Sequence, residues 1–182
     1  EKSKLYHHIT YVMLEKSFAF FADKEQYEFS VNLSIDDMLN EKTVHFILEK
    51  LSTYNAPHRV VFEILENNKI ENYQEIKKFI QKVKAYGAKI AIDDFGSGYS
   101  NFSHVLELNV DYLKIDASLV KNITQDENAK KVTQTIVNFA KNIGLQTIAE
   151  YVEDEASLKE LSSLGVDFIQ GYYIGKPAPK LL

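Results

Sequence analysis

Residues 88–116 read AKIAIDDFGSGYSNFSHVLELNVDYLKID. The stretch opens on a short apolar run, 88–93 (AKIAID), that ends in an acidic pair. A glycine-rich loop, FGSGYS, leads into a short helical segment near 101–107, and a second apolar run follows at 111–116 (DYLKID). Strand, loop, helix and strand in this order make a unit of two parallel strands joined by a crossover.

The same rhythm extends in both directions. Upstream, 27–34 (YEFSVNLS) alternates with period two and 59–65 (RVVFEIL) is β-branched and apolar, so both predict strands. Between them, 41–54 carries Val44, Ile47, Leu48 and Leu51 at helical spacing. Residues 70–86 place Ile76, Phe79, Ile80 and Val83 on one helical face and stop at Gly87. Residues 1–22 predict a leading helix. Downstream come a helix over 126–143 ended by Gly144, a strand over 145–150 (LQTIAE), a helix over 154–164 ended by Gly165, and a last strand over 166–170 (VDFIQ). The order is α(βα)₅β, an α/β protein with six parallel strands. A complete eight-stranded barrel takes roughly 250 residues. With 182 residues, the chain is either an open sheet or a β/α barrel that is incomplete at its N-terminus.

Composition narrows the class. Hydrophobic residues make up 45% and charged residues 26%, enough apolar material for a sizeable core. The formal charge is −5, and Arg59 is the only arginine among 21 basic residues. Reading of DNA bases leans on arginine forks, so no nucleic-acid partner is expected. Without cysteine there is no disulfide framework and no thiolate metal site. No apolar stretch approaches the roughly 18 residues of a membrane span, and the start carries no signal pattern. A cytoplasmic setting fits, including the cytoplasmic part of a membrane-anchored sensor.

The informative feature is the residue at the end of each predicted strand. In chain order these are Asn32, Glu63, Asp93 with Asp94, Lys114 with Asp116, Glu150 and Gln170. Parallel strands bring their C-terminal ends to one edge, where α/β proteins build their sites. Alone, Asn32 and Gln170 read as turn residues and Asp116 as a helix cap. Together they make an oxygen-rich set that suits Mg²⁺ or Mn²⁺. The adjacent Asp93 and Asp94 would repel one another, and bound cations offset that repulsion. Two such ions suit phosphodiester hydrolysis. Lys114 adds positive charge beside a phosphate. His7, His8, His45, His58 and His104 show no ligand spacing, and Phe18, Phe20 and Phe21 read as core or interface.

On these residues the chain resembles the EAL-domain cyclic di-GMP phosphodiesterases of bacteria. SVNLS at 30–34, FEILE at 62–66, IDDFGSGYSN at 92–101, LKID at 113–116, AEYVE at 149–153 and QGYYIGKP at 170–177 match that family's motifs in order. The resemblance implies a single domain over 1–182, a TIM-like β/α barrel of EAL type lacking its first strand. It implies hydrolysis of cyclic di-GMP to linear pGpG with two Mg²⁺ or Mn²⁺ ions. Asn32, Glu63 and Asp93 would hold the first ion, and Asp93, Asp94 and Glu150 the second. Lys114 would orient the attacking water with support from Asp116, and Glu150 has also been cast as the general base. Glu153 and Gln170 would shape the substrate and water network. Glu66 would fix the loop 95–101, to which Ser97 and Gly98 belong, and this loop joins the site to a homodimer interface.

Three departures accompany the resemblance. The Glu-Ala-Leu motif that names the family, with its metal-binding glutamate, is absent, and it is expected upstream of Glu1 together with a substrate-contacting arginine. Other domains of a parent chain are expected as well, and the isolated 182 residues are expected to turn over little. Tyr151 stands where the family usually has Gly, and Ala117 where it commonly has Arg. The alternative function is an inactive EAL-like receptor for cyclic di-GMP or a protein scaffold.

Overall fold

Every predicted strand and helix is present in a computed structural model of the chain, which describes residues 2–65, 73–98 and 102–178, with side chains from His8 onward. The strands are β1 (Phe29–Leu33), β2 (Val60–Leu65), β3 (Lys89–Phe95), β4 (Tyr112–Ile115), β5 (Gln146–Ala149) and β6 (Phe168–Ile169). They lie in one parallel sheet in chain order, the α/β arrangement expected. The long helices are α1 (Lys2–Phe20), α3 (Glu41–Thr53), α4 (Tyr73–Ala85), α5 (Phe102–Leu108), α7 (Glu127–Asn142) and α8 (Glu155–Leu164). Three short elements were not expected from the sequence: α2 (Ile35–Leu39), a 3₁₀ turn over Pro57–Arg59, and α6 (Ala117–Val120). Gly87, Gly144 and Gly165, predicted to end helices, all have left-handed backbone.

The chain divides into two compact units, Glu1–Ala91 and Ile92–Leu182. In the first, the buried faces are the ones the spacing predicts: Leu14 and Phe18 on α1, Ile47 and Leu51 on α3, and Ile76, Phe79, Ile80 and Val83 on α4. Each such side chain contributes about 1.5–3 kcal/mol by leaving water. β2 is buried along Val60–Ile64, as befits a parallel strand covered on both faces. Phe29 gathers an aromatic cluster, stacked on Phe21 at 4.5 Å and edge-on to Phe18 at 5.6 Å. Phe20 is 41% exposed, so the aromatic run of α1 is only partly core.

Two polar devices lock this unit. Arg59 is 5% exposed. Its guanidinium donates to the carbonyls of Lys24, Tyr27 and Phe21 and to the Tyr54 hydroxyl. The lone arginine is thus a clamp on the 21–27 connection, added to that segment's own backbone turns. Burial pushes the Tyr54 phenol up, and the Arg59 charge opposes that shift. Asp37, 1% exposed, accepts from Thr10 Oγ1 at 3.1 Å and from the Ser34 amide and hydroxyl at 3.1 and 2.8 Å. Ser34 Oγ in turn accepts from the Asp37 amide, closing a capping box at α2.

In the second unit α7 is capped by Asp126 and α8 by Asp154. The core includes Phe95, Leu113, Ile115, Val137 and Leu161. Asp167 Oδ2 accepts from the amide and hydroxyl of Thr147 at 2.8 and 2.9 Å, which fixes β5 against the entry to β6.

Candidate active site

The sheet ladder itself places the polar residues. The amide of Asp116 donates to Phe95 O at 3.0 Å, that of Glu150 to Ile115 O at 3.3 Å, and that of Gln170 to Ala149 O at 2.8 Å. The first residue beyond each of β4, β5 and β6 is therefore tied by its own backbone to the strand before it. These ties set where the side chains start without any contact between the side chains themselves.

Asp93 and Asp94 need a further device. Neighbouring residues of a strand point to opposite faces, so a regular β3 would part the two carboxylates. Asp94 instead adopts φ 56°, and its amide donates back to Asp93 Oδ1 at 3.1 Å. Aspartate tolerates this left-handed region better than most residues. With the alternation broken, a carboxylate oxygen from each of Asp93, Asp94 and Glu150 lies within 4.8 Å of the others.

Lys114 sits among them. It is 3% exposed, and its Nζ lies 2.8 Å from both Asp93 Oδ1 and Glu150 Oε1. One ammonium against three carboxylates leaves net negative charge in a half-buried place. Asp94 registers that excess. Burial pushes its carboxyl up first, the Asp93 and Asp116 charges push it further, and Lys114 opposes them. Asp116 also caps α6, accepting from the Ser118 amide at 2.9 Å. The donor set is hard oxygen with unbalanced negative charge, which fits Mg²⁺ or Mn²⁺ and offers nothing to a soft metal.

The remaining expected residues fall as follows. In the first unit Asn32 and Glu63 are paired in the β1–β2 register, Asn32 exposed on β1 and Glu63 8% exposed on β2. Glu153 and Gln170 line an open cavity of about 360 Å³ together with Glu150, Ala117, Tyr151 and Tyr172. Ser97 and Gly98 are exposed just after β3. Glu66 and residues 99–101 lie outside the described residues. Sequence reasoning missed the left-handed turn at Asp94. The only signal for it was the adjacency of two acids before a Phe-Gly pair.

Comparison with known proteins decides the family. The sequence model of the EAL domain matches residues 1–177. The chain belongs to the EAL domain family. It is 31% identical over 184 residues to cyclic di-GMP phosphodiesterase PdeB of Shewanella oneidensis, covering 98% of this chain and 22% of that protein. The chain therefore spans less than a quarter of that relative. Among solved structures, a standalone EAL protein of Vibrio cholerae bound to c-di-GMP is 29% identical, with a TM-score of 0.82 over 93% of this chain and 73% of that one. The manganese and c-di-GMP complex of BlrP1 from Klebsiella pneumoniae is 25% identical, with a TM-score of 0.82 over 91% of this chain and 43% of that one. These likenesses give the EAL domain the β/α fold expected from its motifs. Among the described residues no helix is long and apolar enough to cross a membrane.

Proposed function

We propose that this EAL domain hydrolyses cyclic di-GMP to linear pGpG at a site for two divalent cations, Mg²⁺ or Mn²⁺. The observation that carries the reading is Lys114, 2.8 Å from both Asp93 and Glu150 inside the carboxylate cluster. Membership in a family whose relatives are named for this reaction supports it. Asp93, Asp94 and Glu150 are the ligands this unit contributes, and the resemblance adds Asn32 and Glu63. When bound, the cations supply Lewis acidity and a water acidified enough to attack phosphorus at neutral pH. Lys114 holds Asp93 and Glu150 in fixed orientation and turns an N–H toward the attacking water or a phosphoryl oxygen. The resemblance adds that Glu150 would take a proton from that water. Asp116 keeps α6 and Lys114 in register through its cap and its charge.

Lys114 also stabilises the charge that develops on the phosphoryl oxygens, and such stabilisation usually contributes more than any other single effect to catalysis of this kind. The test is chromatography of the products from cyclic di-GMP with Mg²⁺ or Mn²⁺, using the natural protein at full length. Linear pGpG should appear, and Asp93→Asn or Glu63→Gln should abolish it. Full activity in either variant contradicts the ligand assignment. Binding without turnover contradicts the hydrolase reading.

A further inference from the structure

Tyr151 is anomalous in its backbone: a tyrosine here adopts φ 60°. A bulky residue in that region is an outlier, and such backbone is retained where the surroundings impose it, often at binding sites. Packing does not explain it, because Tyr151 remains 40% exposed. Its ring is instead backed by Lys121, whose Nζ lies 4.3 Å from the ring centroid, a cation–π arrangement.

The segment that carries Tyr151 is tied down by backbone hydrogen bonds. The Val152 amide donates to Gln170 O at 3.1 Å, and the Tyr173 amide to Val152 O at 3.0 Å. Gly171 allows this approach, since a Cβ there would meet the Val152 backbone at 2.2 Å. Residues 150–152 and 170–173 are thereby pinned together. They present Tyr151 and Tyr172, 57% exposed, to one cavity of about 360 Å³ that also contains Glu150. Ala117 lines the same cavity. The Lys121 amide bonds to Ala117 O at 2.9 Å, one turn on. Lys121 therefore stands one helical turn from Ala117, with its Nζ over the Tyr151 ring.

We propose that Tyr151, backed by Lys121, is a purine-stacking wall of the substrate site and holds one guanine of cyclic di-GMP beside Glu150. The inference rests on the phosphodiesterase reading and assigns the base-recognition surface within it. Aromatic faces bind nucleobases by stacking, and removal of one such face typically weakens binding about tenfold or more. A cation over the ring adds a smaller increment.

The experiment compares wild type, Tyr151→Gly, Tyr151→Phe, Lys121→Met and the Tyr151→Gly/Lys121→Met pair in the full natural protein with Mn²⁺. Two substrates are used, cyclic di-GMP and its base-free analogue, the abasic cyclic di(ribose phosphate) diester that lacks both guanines. Tyr151→Gly also removes the left-handed penalty, so loss of folding does not confound it. We expect KM for cyclic di-GMP to rise about tenfold more than KM for the base-free ester in Tyr151→Gly. Tyr151→Phe should stay within about threefold of wild type, and Lys121→Met should cost about threefold by itself. In the Tyr151→Gly background, Lys121→Met should add nothing.

An equal loss on both substrates, or a KM for cyclic di-GMP that falls when the ring is removed, overturns the stacking role. Should wild type turn over neither substrate, the hydrolase reading fails. Equilibrium binding of cyclic di-GMP to the same variants then decides the stacking role: a tenfold weaker Tyr151→Gly supports it, and an unchanged one, or no binding by wild type, overturns it.

Discussion

Lys114 Nζ and Glu150 Oε1 lie 2.8 Å apart, and the lysine is 3% exposed while the carboxylate keeps only 18% of its side-chain surface. An ion pair with its lysine buried and its carboxylate only partly exposed is held by geometry as much as by charge. Removing one partner leaves an uncompensated charge, at a cost of about 3 kcal/mol. Lys114→Met should therefore lower the unfolding free energy by about that amount in the metal-free protein. Added Mn²⁺ should recover part of the loss, because the ion replaces the missing ammonium among the carboxylates. Denaturant titration with and without Mn²⁺ measures both effects, and a variant as stable as wild type without metal contradicts them.

Asp94 should separate conformation from ligation. Asn tolerates the left-handed backbone that Asp94 adopts, so Asp94→Asn should keep the fold. It should nonetheless weaken Mn²⁺ binding at least about tenfold, since a neutral amide replaces a charged hard ligand. Asp94→Val should lose stability as well, by about 1–3 kcal/mol, because a β-branched side chain does not accept φ 56°. Calorimetric Mn²⁺ titration and thermal unfolding of the two variants check this.

Arg59 offers a prediction unconnected to chemistry. Arg59→Lys keeps the charge and loses the planar fork that reaches the Phe21, Lys24 and Tyr27 carbonyls together. It should cost about 1–3 kcal/mol of stability, set by the lost guanidinium hydrogen bonds, since the Phe21 and Lys24 carbonyls keep other partners. Mn²⁺ affinity of the folded variant should be unchanged, because the clamp lies outside the ligand set.

Stability should also carry an acid signature from Asp154. Hydrogen bonds from the Ser157 amide and then the Ser157 side chain hold its carboxyl below the ordinary aspartate range, with burial opposing them. The folded value lies below the unfolded one of about 3.9. The stabilisation is thus fully present above pH ~4 and is lost as pH falls through the lowered folded value. Asp154→Asn keeps a capping oxygen and removes the titration. The stability gap between wild type and this variant should shrink below pH ~4, and a gap that stays constant from neutral pH down to about 2.5 would contradict it.

Most of the architecture was legible because its causes are local. Apolar runs of β-branched residues, helical spacing on α3, α4 and α7, and glycines at helix ends are written in neighbouring positions. The site was legible as a list, since each strand ends in a polar residue. Its assembly was not. Lys114 could be placed beside a phosphate from sequence, but its double pairing with Asp93 and Glu150 depends on where three strands end relative to one another. The left-handed turn at Asp94 is a backbone choice that no periodicity encodes. The four residues of α6 and five of α2 are too few to show a helical period, and α2 is recognised only once Asp37 is seen closing the Ser34 cap. Arg59 stood out by its rarity, yet its role depends on carbonyls 32 to 38 positions away.

The central claim is that Glu150, beside Lys114 and the Asp93–Asp94 pair, belongs to a cation-dependent phosphodiesterase site. The most direct test is product chromatography of cyclic di-GMP incubated with the full natural protein and Mn²⁺, comparing wild type with Glu150→Gln. The account predicts linear pGpG from wild type, none after chelation, and a loss of at least about 100-fold in rate in the variant. Conversion by Glu150→Gln at the wild-type rate, or undiminished conversion after chelation, would contradict it.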